Sequence, residues 1–230
     1  MSALSLIRNL ACTGAVLISA SCGGNYVIEG SVGAYGYEGQ RLTVEEFTPY
    51  SSTLFDSCYV SHGRFSMKGT TDMTRLVFLC RNGQPVLPMY LERGKTVISI
   101  EPTGIQRGGT RQNDLLNSFL TSKRPLDNKY DDVWQRRMEL MRSGRIDTER
   151  MSELQDSLVM IVAECEELIY DFITSHFKDE VSTGVFAMLT ASPSKQVSPL
   201  MKRVLDDAPD RFIESPIVQD YINRTGYKSP

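Results

Sequence analysis

The chain has 230 residues, 41% of them hydrophobic, and carries 25 basic against 28 acidic side chains, a formal net charge of −3 at pH 7. A chain of this length can bury a sizeable core, in one large domain or two small ones. The nearly balanced charge, without a long basic run, argues against a nucleic-acid partner.

Residues 1–21 have the pattern of an export signal. One cation, Arg8, precedes an apolar run over residues 10–18 that is too short to span a bilayer. Two small residues then stand immediately before Cys22, which is typical of a lipobox, so we predict cleavage before Cys22 and lipidation of its thiol. Ser19 stands where leucine is usual, and the alternative is ordinary signal cleavage that releases a free N-terminal cysteine.

Lipid on Cys22 predicts a membrane anchor, because two or more acyl chains hold a protein stably where one chain is marginal. The residues that follow, Gly23-Gly24-Asn25, are uncharged. The absence of an acidic run there favours an anchor that faces the periplasm. We therefore expect a periplasmic protein, lipid-anchored to a membrane of a Gram-negative cell envelope.

The region 22–110 alternates apolar and polar residues over short stretches separated by turn residues. Seven short strands are predicted: 26–32, 41–47, 54–61, 64–68, 75–80, 86–92 and 96–100. Strands at this spacing favour an antiparallel β-sandwich or a partly open barrel.

Two hairpins are expected within this β region, one across His62-Gly63 and one across Arg93-Gly94-Lys95. In the first of them, Phe65 and Met67 are predicted to face the core, because alternate residues of a strand point to the same side. Residues 104–110 are glycine-rich and are interpreted as a loop.

The region 111–230 is predicted to be helical, which makes the fold class α+β. Its first apolar face is interrupted by Pro125, and the pattern resumes at about Tyr130. That second stretch has its apolar residues at Val133, Trp134, Met138 and Met141, which we interpret as core. Shorter helices are expected at 183–190, 198–207 and 216–224.

A long helix after Asp147 has the clearest periodicity in the chain. Asp147 is predicted to cap its N-terminus by accepting from free backbone N–H groups. Steps of three and four place seven apolar residues on one stripe: Met151, Leu154, Leu158, Ile161, Cys165, Leu168 and Phe172. The short connection to the preceding helix predicts a long antiparallel helical hairpin.

No group of residues has the spacing of a catalytic, cofactor-binding or metal-binding site, and we expect a protein that is not an enzyme. The cysteines have no C-x-x-C arrangement and no ligand-like pairing with His62 or His176. Glu164, Glu166 and Glu167 flank the apolar stripe and are interpreted as surface charge.

Cys58 and Cys80 lie on strands that we expect to be neighbours. In an oxidising periplasm they are therefore a possible disulfide pair. The alternative is two buried free thiols. Cys165, within the apolar stripe, is interpreted as a core residue.

Several short motifs suggest a family. They are Tyr26-x-Ile28-x-Gly30, Asp56-Ser57, Gly63-Arg64-Phe65 with Gly69, the run from Pro88 to Gly94, the small-residue loop before Asn113, Asp171-Phe172-Ile173, Ser182-Thr183-Gly184-Val185-Phe186, and 205–212 with Pro209. With these features the chain resembles a bacterial lipoprotein domain of unknown function that usually precedes a thioredoxin-like domain of the TlpA/AhpC-TSA type. The resemblance implies no catalytic residue in this region. The sequence ends at Pro230, where the thioredoxin-like part would begin, and we expect the protein to lack that part.

These observations favour a non-catalytic binding or scaffolding module of the cell envelope, with an envelope protein as partner and no cofactor. Two alternatives remain open. One is an accessory or member of a thiol-disulfide redox system that uses Cys58, Cys80 or Cys165. The other is a binder of a small ligand at the open end of the sheet.

Overall fold

The computed structural model describes residues 24–47, 51–143, 147–192 and 194–228. The predicted signal peptide and the lipidation site, Cys22, lie outside these ranges. Within them the chain folds into eight strands followed by six helices, so the α+β class is confirmed. The strands are β1 (Gly24–Val32), β2 (Arg41–Phe47), β3 (Ser52–Tyr59), β4 (Arg64–Thr71), β5 (Arg75–Arg81), β6 (Gln84–Leu91), β7 (Gly94–Glu101) and β8 (Gly104–Gly108). The helices are α1 (Arg111–Arg142), α2 (Thr148–Ser175), α3 (Glu180–Thr190), α4 (Pro199–Asp206), α5 (Asp210–Ile213) and α6 (Pro216–Thr225).

The strands form two four-stranded sheets that do not close into a barrel. The first sheet has the order β4-β1-β7-β8 and the second the order β3-β2-β5-β6. Alternate residues of both sheets point inward and form one hydrophobic core, as expected for a sandwich. Phe65 and Met67 belong to this core, and the prediction of their orientation is confirmed.

The partners of the strands differ from those that the sequence suggested. The turn at His62-Gly63 is formed, with φ of +51° and +66° and a bridge between Ser61 and Arg64, but β3 and β4 then enter different sheets. The hairpin expected across Arg93-Gly94-Lys95 is wrong, because β6 pairs with β5 while β7 pairs with β1. Inward alternation shows which side of a strand is buried, and it leaves the neighbouring strand undetermined.

The first sheet is mixed rather than purely antiparallel. β7 runs parallel to β1, and β8, expected to be a loop, pairs antiparallel with β7 along the sheet edge. Strand β8 has Ile105 as its one apolar residue, so it lacks the β-branched and aromatic content by which strands are recognised. Its strand geometry depends on backbone pairing with β7.

Two glycines of the β motifs make room for aromatic rings on the neighbouring strand. Gly69 lies opposite Tyr26, and Gly30 lies opposite Phe65. A Cβ on Gly30 would stand 2.2 Å from the Phe65 ring, and one on Gly69 would stand 2.5 Å from the Tyr26 hydroxyl. The Tyr26 hydroxyl also donates to Asp56 Oδ2 at 2.9 Å, which ties the first sheet to the second. These motif residues therefore stabilise the sandwich.

Helix α1 is continuous through Pro125, so the expected interruption is wrong. A proline inside a helix leaves the carbonyl four residues earlier without its N–H donor. Here both Pro125 and Thr121 are exposed, so that carbonyl can be hydrated by water. Packing against α2, including the Phe119 and Phe172 rings at 4.7 Å between centroids, stabilises the helix on its other side.

The helical hairpin of α1 and α2 is confirmed. Asp147 Oδ1 accepts from the Arg150 N–H at 3.0 Å, which is the expected N-cap. Leu158 and Ile161 of the predicted stripe are buried. Ile169 and Ile173 are buried as well, in a second core formed with α3, α4, α5 and α6.

A buried hydrogen-bond network joins the helices to the sandwich. The Asn113 side chain is fully buried, and it accepts from the Tyr90 N–H at 2.9 Å and donates to the Tyr90 carbonyl at 2.8 Å. Glu92 Oε1 accepts from the N–H groups of Gln112 and Asn113, so a carboxylate from the β region caps α1. The Tyr90 hydroxyl donates to the Glu180 carbonyl at 3.1 Å, which fixes the start of α3. The run from Pro88 to Gly94 therefore holds the two parts together.

Candidate functional site

The outer side of the α1–α2 hairpin carries an apolar groove, which we call the hairpin groove. The volume of this open groove is about 370 Å³. Its main lining residues are Tyr130, Trp134 and Arg137 of α1 with Leu158, Val159, Val162 and Glu166 of α2. Leu158 is the buried member of this set and forms the floor.

Helical spacing places the lining side chains along the groove. Tyr130, Trp134 and Arg137 follow one another in steps of four and three on α1, and Val159, Val162 and Glu166 follow in steps of three and four on α2. Such steps put residues on one face of a helix. Each helix thus presents a second stripe beside the one that packs against its neighbour.

Large apolar side chains on this second stripe are open to solvent. Trp134 is 41% exposed, Val159 58% and Val162 42%, and the adjacent Met160 is 65% exposed. A contiguous exposed apolar patch rimmed by polar residues is a feature of interaction surfaces, whereas single exposed apolar residues are ordinary. The interpretation of Trp134 and Met141 as core residues is wrong, since both lie on the exposed side of α1.

The groove combines rigid aromatic surface with two charges. The rings of Tyr130 and Trp134 are nearly parallel, with centroids 6.4 Å apart, and the Arg137 guanidinium lies 5.5 Å from the Trp134 centroid. Arg137 Nε is buried and has no hydrogen-bond partner among the described residues. Glu166 lies at the other end of the groove. This arrangement can bind apolar side chains of another molecule and pair with charges at its rim.

A smaller hollow of about 130 Å³ continues the groove towards the sandwich, and Cys165 lines it together with Leu126 and Ile161. Burial raises the pKa of the Cys165 thiol, and the effects of nearby charged groups are smaller. A raised pKa leaves less thiolate, which is the form that reacts. The hollow therefore lacks an activated nucleophile.

Cys58 and Cys80 are free cysteines in this structure. They lie on β3 and β5, and β2 runs between these strands, so the expectation that the two cysteines are on neighbouring strands is wrong. Cys58 is opposite Leu42 and Cys80 is opposite Thr43, which point to different faces of β2. Burial raises the pKa of both thiols, that of Cys80 to about 11. The geometry favours two separate free thiols, a buried Cys80 and a half-buried Cys58, over a disulfide.

These environments predict that the three thiols have no redox activity. We expect the purified protein to reduce insulin no faster than a free thiol of ordinary pKa, because none of Cys58, Cys80 and Cys165 has a stabilised thiolate. Single serine variants should differ from wild type in melting temperature only. Insulin reduction that disappears in one of the three variants would overturn this prediction.

The remaining polar candidates lie apart from one another. Glu167 forms an ion pair with Arg203, and Glu164 is exposed. His62 lies in the exposed turn after β3, and its backbone N–H donates to Glu38 Oε1 at 2.9 Å. His176 is at the end of α2, with Nδ1 2.7 Å from the Phe172 carbonyl oxygen. Across the described ranges, no group of three or more His, Cys, Asp or Glu side chains is arranged to hold a metal ion.

Sequence reasoning did not identify the groove. Val159, Met160 and Val162 lie between members of the buried stripe. Periodicity alone does not distinguish them from apolar residues that face the core. The available signal was an excess of apolar residues on α2 beyond what one stripe requires.

None of the helices in the described part of the chain is both long and apolar enough to cross a membrane.

Comparison with known proteins gives one match. Residues 26–116 match the model of a family described as Domain of unknown function (DUF4369). No curated protein and no solved structure matches the chain. The matched segment runs from the third residue of β1 through β8 to the first turns of α1, where it includes Asn113, and it ends before the hairpin groove.

Proposed function

We propose that this protein is a non-catalytic binding or scaffolding module of the bacterial cell envelope, anchored to a membrane through lipid on Cys22 and facing the periplasm. Its binding surface is the hairpin groove, and its partner is an envelope protein. The observation that carries the proposal is that Trp134 of α1 and Val159 and Val162 of α2 are exposed on the outer side of the hairpin, although the two helices already pack against each other.

The properties of the groove suit a protein partner. Aromatic residues and arginine are enriched at the centres of protein interfaces, and Tyr130, Trp134 and Arg137 stand together here. The groove is open and shallow, as expected for the docking of a helix or strand. An anchored protein also meets its envelope partners at a raised local concentration, which favours weak contacts.

A second candidate is an accessory role beside thiol-disulfide enzymes. It is supported by the resemblance of the chain to domains that usually precede a thioredoxin-like domain. In that role the partner supplies the reactive cysteines, because full or partial burial raises the pKa of all three thiols described above. The same groove would dock that partner.

Anchoring is tested at Cys22. We expect Cys22→Ala to abolish lipid attachment, so that the mature protein loses the mass of the acyl chains and moves from the detergent phase to the aqueous phase. Cys165→Ser is the control, and it should stay in the detergent phase. Wild-type protein found in the aqueous phase with an unmodified N-terminal cysteine would contradict the lipoprotein assignment.

Binding is tested by photo-crosslinking of the full-length chain in cells. A photoreactive amino acid at Val159 should form crosslinks to protein, while the same residue at Tyr35, which is 99% exposed on the sandwich, should form few. Trp134→Ala should reduce the crosslinks from position 159, because the partner loses its largest apolar contact. Equal yields from positions 159 and 35 would contradict the groove as the binding surface.

A further inference from the structure

The proposed lipid anchor is close to one end of the sandwich. Strand β1 begins at Gly24, and Gly23 alone separates it from Cys22. Two residue steps of extended chain span about 7 Å at most, so lipid on Cys22 holds the start of β1 close to the bilayer surface. We call the end of the sandwich at which β1 begins the anchor end.

Two turns lie beside Gly24 at the anchor end. Gly24 is opposite Thr71 of β4, so the turn between β4 and β5, which contains Met73, is its neighbour on one side. Strand β7 begins beside β1 on the other side, and Arg93 directly precedes it. The Arg93 side chain lies against Gly24, since a Cβ on this glycine would stand 2.2 Å from Arg93 Cδ.

The side chains of these turns suit a phospholipid surface. Met73 is 54% exposed and can enter the boundary between headgroups and acyl chains. Arg93 is exposed and can contact the phosphates of anionic lipids. Two nearby carboxylates have partners, because Asp72 pairs with Arg75 and Glu92 caps α1. Their negative charge is therefore compensated and repels anionic lipids less.

Helix α1 extends away from the anchor end. Strand β8 runs antiparallel to β7 and ends at the anchor end, where α1 begins at Arg111. The helix then passes back along β8. The Arg107 N–H donates to Asn117 Oδ1 at 3.2 Å, and a Cβ on Gly104 would stand 3.1 Å from Arg124 Nη1. Because β7 is parallel to β1, α1 runs in the same direction as β1, from the anchor end outward.

The hairpin groove is far from the anchor end. From Arg111 to Trp134 the helix advances about 35 Å. Arg124 is already level with the start of β8, which is at the far end of the sandwich. The part of the hairpin that carries the groove therefore extends beyond the sandwich, on the side opposite the anchor.

We propose that the anchor end of the sandwich lies on a phospholipid bilayer, with Met73 and Arg93 in contact with the headgroup region, and that α1 and α2 extend from it into the periplasm. Lipid on Cys22 fixes one point of the protein, and these two side chains fix its direction. The hairpin groove is then held roughly 35 Å from the bilayer, where the field of the lipid charges is screened. This inference rests on the proposed function, because it requires the lipid anchor.

Tryptophan fluorescence tests this orientation, since Trp134 is the single tryptophan of the chain and lies in the groove. The mature, lipidated protein is reconstituted in vesicles of phosphatidylethanolamine and phosphatidylglycerol that contain lipid with a nitroxide on its headgroup. A nitroxide quenches tryptophan only at short range. We expect no quenching of Trp134 in the wild type. Met73→Trp in a Trp134→Phe background should be quenched.

Two matched variants carry the tryptophan elsewhere on the sandwich. Tyr35→Trp lies beyond the end of β1, and Val97→Trp lies on the outer face of the first sheet, each in the Trp134→Phe background. All three substituted positions are exposed, so the fold should tolerate tryptophan, and the melting temperature of each variant checks this. Neither control should be quenched. Quenching at position 97 or of Trp134 equal to that at position 73 would overturn the orientation.

The contact of Arg93 is tested by removing its charge. Arg93→Gln, added to the variant with tryptophan at position 73, should restore emission in vesicles that contain phosphatidylglycerol, because an attraction to anionic lipid is lost. Lys95→Gln is the matched control. Lys95 pairs with Glu29 at 2.8 Å, and its loss should leave the emission unchanged. Equal emission from the two variants would overturn Arg93 as a headgroup contact.

The outcomes distinguish this inference from the proposed function. Wild-type protein that does not sediment with the vesicles would contradict the lipid anchor and, with it, the orientation. Protein that sediments with the vesicles but shows no quenching at position 73 would overturn the orientation alone. The anchor and the hairpin groove as a binding surface would then remain.

Discussion

Replacing Asn113 by alanine is expected to lower the free energy of unfolding by about 3 kcal/mol or more. The Asn113 side chain is fully buried and makes both backbone hydrogen bonds of Tyr90, at 2.9 Å to its N–H and 2.8 Å to its carbonyl. Alanine leaves these two buried groups without partners, and each such group costs about 1–3 kcal/mol. In a chain of this length the melting temperature should fall by roughly 10 °C.

Thermal unfolding followed by circular dichroism measures this effect. Asn128→Ala is the matched control, because Asn128 is exposed on the same helix, and its substitution should change the melting temperature little. Hydrogen exchange adds a second measurement. Loss of the hydrogen bonds between Asn113 and Tyr90 should make amides of α1 and β6 exchange before those of β1. Similar melting temperatures for Asn113→Ala and Asn128→Ala would show that the hydrogen bonds of Asn113 contribute little to stability.

The second large effect is expected at Leu158, the floor of the hairpin groove. Leu158→Asp puts a carboxylate where leucine is 5% exposed, between α1 and α2. An unpaired buried carboxylate costs several kcal/mol or is forced to protonate, so we expect a loss of about 4 kcal/mol or more near neutral pH. Protonation of the new carboxyl relieves part of this cost, so the deficit relative to wild type should shrink as the pH falls.

Glu164→Ala is the control for this variant. Glu164 is exposed on the same helix, and its loss should leave the melting temperature within a degree or two of wild type, because surface substitutions rarely exceed about 0.5 kcal/mol. Urea unfolding at two pH values compares the variants. A melting temperature of Leu158→Asp equal to that of Glu164→Ala would contradict the buried position of Leu158.

Local patterns predicted the features that depend on near neighbours in the chain. The cap of α2 by Asp147, the turn at His62-Gly63 and the inward orientation of Phe65 and Met67 all follow from residues within a few positions of each other. Hydrophobic period also distinguished the N-terminal strands from the C-terminal helices. These features require no knowledge of the rest of the fold.

Long-range partners were not predictable in the same way. The parallel pairing of β1 with β7 and the antiparallel pairing of β2 with β5 join segments far apart in sequence. A strand shows by its alternation which face is buried, and this alternation is the same for any partner that covers that face. The expected hairpin at Arg93-Gly94-Lys95 failed for this reason, and so did the expected proximity of Cys58 and Cys80.

The sequence by itself determined the fold class, the elements with clear periodicity and the residues that cap and turn them, because these depend on local geometry and on side-chain polarity. Only the tertiary structure decided which of two apolar stripes on the hairpin is covered. Leu158 is buried because α1 packs over it, while Val159 and Val162, equally apolar, are left exposed because no element of the described chain packs over them. Periodicity reports that a face is apolar, and the arrangement of the other elements determines whether that face becomes core or binding surface.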